Sequence, residues 1–412
     1  MYNPIKQFNF ADSGRLPKDI EFARESPGIC YNSQRQLVRA ENNLPLFGYD
    51  VVTGTPLGLV IQEVSANINR NSNDLTSSSY IRTNLGVTKN AALGPDGRTS
   101  ASRITEDTAT GQHYISSNAV DTVVIGDIIQ ITFWAKAETR SSLLVSMNPA
   151  MFGGVPQQGV FNLATGIATA IGTTTCWMKA CPDSWYECRF VTPAVTVGTA
   201  LSLINIYLAT GPGTTNYTGD GTSGCLLYQI DNRLSSAVTG PVVTYKYGDV
   251  RQADYAKIPN SIFKTFWNPS EFTISLTGKS DNSSATSRFF FSINDGTINN
   301  SITIRLLSGV LYFTITVAGV QVGNVALGSY TPGDTVYIGV SVSGATITTS
   351  INGSVPSTST TTSSTLLPTV TQWELGSFLA QGAVGTINGS IAKLTYWDKA
   401  LPQIVQEISQ II

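Results

Sequence analysis

Short runs of alternating hydrophobic and polar residues recur along most of the chain. In the second half, Phe272, Ile274 and Leu276 alternate with polar residues. Other positions with the same period of two are Phe289 and Phe291, then Leu311, Phe313, Ile315 and Val317, and in the first half Ile129, Ile131 and Phe133. Because successive side chains of a strand point to opposite faces, this pattern predicts strands with one buried face.

Turn-forming residues separate these runs. The stretches 95–97 (Pro-Asp-Gly) and 219–221 (Gly-Asp-Gly) are typical of turns. The pair Asn352 and Gly353 favours a type I′ hairpin, since both central residues of that turn need a positive φ. The pattern therefore predicts an all-β fold of many short strands.

The two ends of the chain differ from this pattern. Residues 1–20 carry Pro4, Gly14 and Pro17, which break any helix, so we expect an extended arm that docks on a partner. At the C-terminus, apolar residues fall at helical spacing after Pro402, which suits a first helical turn, and predict a short amphipathic helix. These residues are Leu401, Ile404, Val405, Ile408, Ile411 and Ile412.

Composition excludes several classes of partner. Charged residues are 13% of the 412 residues and the formal net charge is −2, so no basic field exists to hold nucleic acid or an anionic membrane. The apolar stretch 309–327 is interrupted by polar residues and alternates as strands do, which argues against a membrane span.

The N-terminus lacks the features of a secretory signal, and five cysteines are an odd number for a disulfide framework. We expect reduced thiols and folding in the cytoplasm.

Catalytic chemistry has little support. The one histidine, His113, lies in no nucleophile motif, and no strand carries carboxylates in the pattern that glycosidic cleavage needs. Cys176, Cys181 and Cys188 lack the spacing and the fourth ligand of a zinc site. The sequence assigns no catalytic residue and no cofactor-binding residue, and predicts a non-enzymatic protein.

Aromatic residues of the second half could contact a glycan, since a sugar face stacks on an aromatic ring while polar groups bind its hydroxyls. The candidates are Trp267, Tyr330 and Trp373. The plainer alternative, that such residues belong to a core, fits Trp134 and Trp397 better, because these two lie in alternating strands.

Residues 22–68 contain a specific order of motifs. The residues that carry it are Phe22, Arg24, Ser26, Tyr31, Phe47, Tyr49, Asp50, Thr53, Gly54, Gly58, Leu59, Ile61, Glu63 and Asn67. In this order they resemble the opening of a family of bacteriophage virion spike and fibre proteins. The resemblance implies that residues 1–70 are an N-terminal arm and anchoring segment that contacts other virion proteins.

The rest of the chain resembles two β-sandwich families, which implies two antiparallel β-sandwich (jelly-roll) domains. Residues 71–245 resemble a carbohydrate-binding jelly roll, through the stretches 90–116, 131–141, 161–168 and 217–232. Residues 246–412 resemble a concanavalin A-like or laminin G-like sandwich. Carbohydrate-binding jelly rolls often hold a structural Ca²⁺ near the terminal strand, and the resemblance of residues 71–245 to them implies Asp231 as a candidate ligand. Asn232 stands where the family has a second Asp, which lowers the ligand charge.

These observations lead to one main hypothesis and two alternatives. The main hypothesis is a non-enzymatic phage virion protein, of the fibre, spike or decoration class, that displays its sandwiches on the particle surface for adhesion to a host-surface glycan. It would fold in the host cytoplasm and form a homotrimer, which buries strand edges. The first alternative is a glycan-binding module of a polysaccharide-degrading system, and the second is a capsule depolymerase.

Overall fold

The computed structural model describes residues 2–119, 123–198, 202–235, 239–245, 249–281, 286–361, 367–378 and 385–410. Its strands pair antiparallel into two β-sandwiches, which confirms the predicted all-β fold. The regular helices described are short, Phe10–Ser13 and Asn260–Phe263, with 3₁₀ turns at Pro149–Phe152, Pro182–Ser184, Pro402–Ile404 and Glu407–Ser409. No helix among the described residues has the length and apolar character to span a bilayer.

The first sandwich, here called the jelly roll, consists of sheets J1 and J2. J1 has the strand order Thr175–Ala180, Tyr186–Val191, Gln130–Ala137, Gly224–Arg233, Thr99–Glu106 and Leu85–Leu93. J2 has the order Ile167–Ile171, Gln158–Asn162, Ser142–Met147, Ser202–Ala209, Tyr114–Ala119 and Tyr80–Thr83. Every second residue of their central strands faces the shared core, as Ile131 and Phe133 of J1 and Val145, Phe161 and Ile206 of J2 do.

The second sandwich, here called the C-terminal sandwich, consists of sheets C1 and C2. C1 has the order Ser357–Thr360, Thr346–Ile351, Thr335–Ser343, Glu271–Ser280, Gly389–Trp397, Pro56–Ile61 and Leu46–Tyr49, and Lys6–Asn9 also pairs with Gly389–Trp397. C2 has the order Glu21–Ala23, Tyr255–Ile258, Gln372–Leu375, Arg288–Asn294, Ser301–Leu307, Val310–Val317 and Val320–Ser329. Their shared core contains Phe272, Leu276, Phe291, Phe313 and Trp373.

Three two-stranded ladders complete the strand pairing. They are Thr110–Gln112 with Asn216–Thr218, Val250–Arg251 with Ser65–Ala66, and Gly28–Tyr31 with Leu37–Ala40. The last of these, a hairpin, packs Ile29 and Leu37 against Trp134 and Leu226 on the outer face of J1. This cluster joins the N-terminal part of the chain to the jelly roll.

The first 20 residues differ from the predicted extended arm. Lys6–Asn9 is a strand in which Lys6 pairs with Tyr396 and Phe8 with Leu394, and Phe8 and Phe10 are buried. Asn9 caps the following short helix and Gly14 ends it in the left-handed conformation. Pro4 and Gly14 lie outside the strand Lys6–Asn9, so these helix-breaking residues do not interrupt it. The burial of Phe8 and Phe10 stabilises the packing of this segment on the sheet.

Residues 1–70, predicted as an arm and anchoring segment, contribute strands to the C-terminal sandwich. Glu21–Ala23 belongs to C2, while Leu46–Tyr49 and Pro56–Ile61 belong to C1. Gly58, at a φ of 87°, brings the backbone so close to Ile391 that an added Cβ would lie 2.2 Å from its carbonyl oxygen. Residues 1–70 are therefore built into the C-terminal sandwich and its junction with the jelly roll.

A buried ion network links residues 22–68 to the segment that precedes the strand Tyr255–Ile258. The carboxylate of Asp254 accepts from Nη1 of Arg24 at 3.0 Å and from the backbone N–H of Gln62 at 2.8 Å. It also accepts from Nη2 of Arg251, and the side chains of Asp254 and both arginines are fully or almost fully buried. Arg24, one of the residues that carry the phage-protein resemblance, thus has a structural role.

The C-terminus forms two 3₁₀ turns where the sequence predicts one amphipathic helix. Leu401 and Val405 are buried as predicted, while Ile411 and Ile412 lie outside the described residues. The backbone N–H of Leu401 donates to the hydroxyls of Thr273 and Ser341, at 2.8 and 2.9 Å. Bonds to the sheet therefore replace part of the hydrogen bonding that a continuous helix would need.

Candidate functional site

The three aromatic residues predicted as glycan contacts belong to the core of the C-terminal sandwich. Trp373 is fully buried and meets Phe291 edge to face at 5.4 Å between ring centroids. The hydroxyl of Tyr330 is buried and accepts from the backbone N–H of Ser280 at 2.7 Å. Trp267 is half-buried and stacks on Phe263 at 5.1 Å. None of the three is an exposed platform, so the prediction is corrected in favour of the core alternative.

Asp231, the predicted Ca²⁺ ligand, forms a buried ion pair. Arg233 donates from Nε and Nη2 to its two oxygens, each at 2.7 Å, and the backbone N–H of Val242 donates at 2.7 Å. The side chain of Asn232 donates to Ser117 at 2.8 Å. Since arginine neutralises the carboxylate and occupies both oxygens, this geometry does not favour a cation. Within the described ranges no three Asp, Glu, His or Cys side chains converge as metal ligands.

Glu106 and His113 form a buried polar cluster at one end of the jelly roll. Glu106 accepts from Nε and Nη2 of Arg140 at 2.8 and 2.6 Å, from the Tyr217 hydroxyl at 2.8 Å and from the backbone N–H of Asp220 at 3.0 Å. Burial raises the pKa of Glu106, but these hydrogen bonds lower it more, so its net pKa is below the ordinary value. Glu106 is thus a buried structural carboxylate.

His113 has structural surroundings as well. Its Nδ1 lies 2.8 Å from the carbonyl oxygen of Asn84, closer than Asp107 at 3.8 Å. The imidazole packs against the ring of Tyr217, with 4.6 Å between centroids. A ring held by a backbone carbonyl and an aromatic neighbour does not form a nucleophile pair.

The outer face of J2 carries a different set of side chains. The strand register aligns Tyr114 with Tyr207, Tyr207 with Leu144, and Leu144 with Val160. A neighbouring row aligns, in the same way, Ser116, Asn205, Ser146 and Gln158. Because side chains alternate between faces, these rows lie opposite the core residues Ile115, Ile206, Val145 and Phe161.

The centre of this outer face is aromatic and polar. The rings of Tyr114 and Tyr207 are both half-buried, 4.9 Å apart and inclined by 48°. Asn205 donates from Nδ2 to the Tyr207 hydroxyl at 3.1 Å and accepts from Ser116, and Gln158 donates to Ser146 at 3.3 Å. We call the group Tyr114, Ser116, Gln158, Asn205 and Tyr207 the tyrosine face.

The neutral hydroxyl of Tyr207 and two exposed isoleucines beside the polar row add to this arrangement. Burial raises the pKa of Tyr207, so its hydroxyl stays neutral and can both donate and accept at neutral pH. Ile81 and Ile171, 46% and 40% exposed, flank the polar row at its two ends, opposite Ser116 and Gln158. The tyrosine face thus combines aromatic surface with neutral hydrogen-bonding groups, and it contains no carboxylate for acid/base catalysis.

Sequence reasoning did not select this face, although a signal exists. Tyr114 and Ser116 alternate with Ile115, and Asn205 and Tyr207 with Ile206. The core phase of each strand is apolar, so tyrosine and asparagine in the other phase point outward.

Comparisons with known proteins give limited information. No family model and no curated protein match the chain. A carbohydrate-binding module of a Ruminococcus gnavus sialidase, CBM40 bound to α2,3-sialyllactose, is 16% identical over 35% of this chain and 84% of that chain, with a TM-score of 0.30. A mutant of the NanB sialidase from Streptococcus pneumoniae is 19% identical over 38% of this chain, with a TM-score of 0.32, and the chain spans only 26% of that structure.

A third solved structure covers more of the chain. The tandem CBM22 domains of Paenibacillus barcinonensis Xyn10C are 10% identical over 83% of this chain and 98% of that chain, with a TM-score of 0.28. Such low TM-scores do not place the chain in any of these families. The resemblance of residues 22–68 to phage virion proteins has no matching family model and stays a hypothesis.

Proposed function

We propose that this protein is a non-catalytic glycan-binding protein that contacts carbohydrate through the tyrosine face of its jelly roll. The observation that carries the proposal is the pair Tyr114 and Tyr207, side by side on the outer face of J2 with Asn205 beside them. Aromatic rings and amides in one patch suit a ligand that presents both C–H surfaces and hydroxyls, as a sugar does.

Tyr114 and Tyr207 lie on adjacent strands, and the next residues of their row, Leu144 and Val160, are buried. The accessible aromatic surface is therefore that of two rings 4.9 Å apart. The ligand class that we propose is a neutral oligosaccharide.

A glycan array followed by titration tests the proposal. Tyr207→Ala and Tyr114→Ala should each weaken binding of the selected oligosaccharide at least about tenfold, a loss of about 1.4 kcal/mol. Tyr312→Ala, in the half-buried row of C2, is the matched control and should bind as the unaltered protein does. Equal affinity of all three variants would move the site elsewhere, and an array without any binding would remove the proposal.

A second proposal concerns where the glycan-binding protein is displayed. The resemblance of residues 22–68 favours the surface of a phage particle, with the protein as a homotrimeric fibre, spike or decoration protein. Because Arg24 is engaged within the fold, attachment to other virion proteins would use the exposed residues of this region. Peptides of this chain in purified particles, and loss of host adsorption without it, would support this setting.

The two alternative functions make different predictions. A module of a polysaccharide-degrading system would bind the polymer that a partner enzyme cleaves, and would be missing from particles. A capsule depolymerase would lower the viscosity of the polymer by itself. Unchanged viscosity in the presence of bound protein is what the non-catalytic proposal predicts.

A further inference from the structure

A partly open cavity of about 130 Å³ lies on the side of the jelly roll opposite the tyrosine face, where the outer face of J1 meets residues 22–68 and one end of C1. The walls combine polar and apolar groups: Arg189, Glu187, Trp134 and Lys179 from J1, Tyr31, Ile29, Leu37, Val51 and Gln62 from the N-terminal part, and Lys279 and Asp281 from C1. All three parts of the chain therefore contribute to one cavity.

Two groups of this cavity have incomplete hydrogen bonding among the described residues, Oε1 of Gln62 and the guanidinium of Arg189, and Arg189 is the charged one. Its side chain is 4% exposed, and its Nη2 lies 3.4 Å from Oε1 of Glu187. The guanidinium also lies over the ring of Trp177, 4.6 Å from its centroid. Nε and Nη1 have no hydrogen-bond partner in the part of the chain that the structure describes.

The nearby acidic groups are already engaged by other residues. Glu187 accepts from the Tyr31 hydroxyl at 2.9 Å through its other oxygen, and Lys279 pairs with Asp281 at 3.4 Å. Burial lowers the pKa of Arg189, with Glu187 acting in the opposite direction, yet a guanidinium keeps its charge in a protein. A buried cation with spare donors is costly until an anion meets it.

We propose that this cavity binds a small organic carboxylate, with the carboxylate on Arg189 and an apolar body against Ile29, Leu37 and Val51. Charge-assisted N–H bonds to a carboxylate match the free donors. The volume is close to the roughly 150 Å³ of an apolar cavity that accepts benzene, so a ligand of about the size of benzoate fits. This site is separate from the tyrosine face, and it goes beyond the proposed glycan binding.

Binding at this position would also stabilise the junction of the two sandwiches, since a ligand that binds only the folded state adds to its stability. The ligand would touch J1, the N-terminal part and C1 together. We therefore expect benzoate to raise the unfolding temperature of the full chain, by an amount that grows with the logarithm of the benzoate concentration once this exceeds the Kd.

The test uses the full-length protein, with 4-fluorobenzoate followed by ¹⁹F NMR and benzoate followed by thermal unfolding. Saturable binding with a Kd of about 1 mM or tighter is expected. Arg189→Met should weaken it at least about tenfold, and Arg103→Met, an exposed arginine of the same sheet, should not change it. Arg189→Lys keeps the charge and should retain part of the affinity.

Stability without ligand separates a binding role from a structural one. Because Arg189→Met leaves the buried Glu187 carboxylate without its cation, it should lower the stability of the free protein, whereas Arg189→Met combined with Glu187→Gln leaves no unpaired charge and should restore most of that stability. Benzoate binding by the folded double variant as tight as that of the unaltered protein would overturn the proposal. Absence of saturable binding by the unaltered protein, equal binding by Arg189→Met, or binding of inorganic phosphate in place of benzoate would overturn it as well.

Discussion

The Asp254 network gives the sharpest prediction about the fold. In Asp254→Asn the side chain keeps its shape but no longer neutralises the buried guanidinium groups of Arg24 and Arg251. At an effective dielectric constant of about 20, each pair of unit charges about 3 Å apart contributes roughly 5 kcal/mol of Coulomb energy. Relaxation and water entry reduce the net effect, and loss of one partner of a buried pair typically costs about 3–5 kcal/mol. We expect the free energy of unfolding of the C-terminal sandwich to fall by that amount.

Urea unfolding followed by tryptophan fluorescence measures this change, because Trp373 and Trp397 both lie in the C-terminal sandwich. Arg39→Ala is the matched control: it removes an ion pair to Glu41 whose side chains are 42% and 67% exposed, for which a change within about 1 kcal/mol is expected. If Asp254→Asn changed stability no more than Arg39→Ala does, the fold would not depend on this network and the reasoning would fail.

Three further predictions concern stability. Deletion of residues 1–70 should leave a protease-sensitive chain that binds a hydrophobic dye, because both sheets of the C-terminal sandwich lose strands; a protease-resistant product would contradict this. Gly58→Ala should lower the unfolding free energy by at least about 2 kcal/mol, since φ is 87° and the new Cβ would collide with the backbone of Ile391. The control is Gly211→Ala, where an added Cβ would have no neighbour within 4 Å, and it should change the unfolding free energy by less than about 0.5 kcal/mol. Glu106 has a lowered pKa, so its charge stabilises the fold fully above its ordinary value of 4.5 and this contribution is lost as the pH falls through the lowered pKa. Glu106→Gln should therefore be less stable than the unaltered protein at pH 7, by a margin that shrinks in thermal unfolding as the solution is acidified below that value.

The strands were predictable because their signal is local. Phe272, Ile274 and Leu276 fall in the strand Glu271–Ser280 and face the core as their alternation requires. Asn352 and Gly353 have φ values of 49° and 74°, both positive as a type I′ turn needs. The local pattern determines which residues of a strand face the core and which turn type joins two strands, without information about distant residues.

The partners of the strands were not predictable, because pairing depends on residues far apart in the chain. Lys6–Asn9 pairs with Gly389–Trp397, and Arg24 meets Asp254 across 230 positions. Arginine and aspartate are rarely buried without a partner, and one sequence gives no indication of which partner each will meet. For this reason the sequence predicts residues 1–70 as an arm and anchoring segment, although they contribute strands to the C-terminal sandwich.

The candidate site was partly predictable. Large aromatic residues attract attention as glycan contacts, but Trp373 shares the phase of Leu375 and faces the core with it. Tyr114 and Tyr207 lie out of phase with their apolar neighbours and so point outward. Their alignment follows from the register of J2, which only the structure supplies.

The most direct test of the proposed function is a crystal structure of the protein with the oligosaccharide that the array selects. The account predicts a sugar ring against Tyr114 and Tyr207, with hydroxyls bonded to Asn205 or Gln158. Sugar bound at any other surface, with the tyrosine face unoccupied, would contradict it.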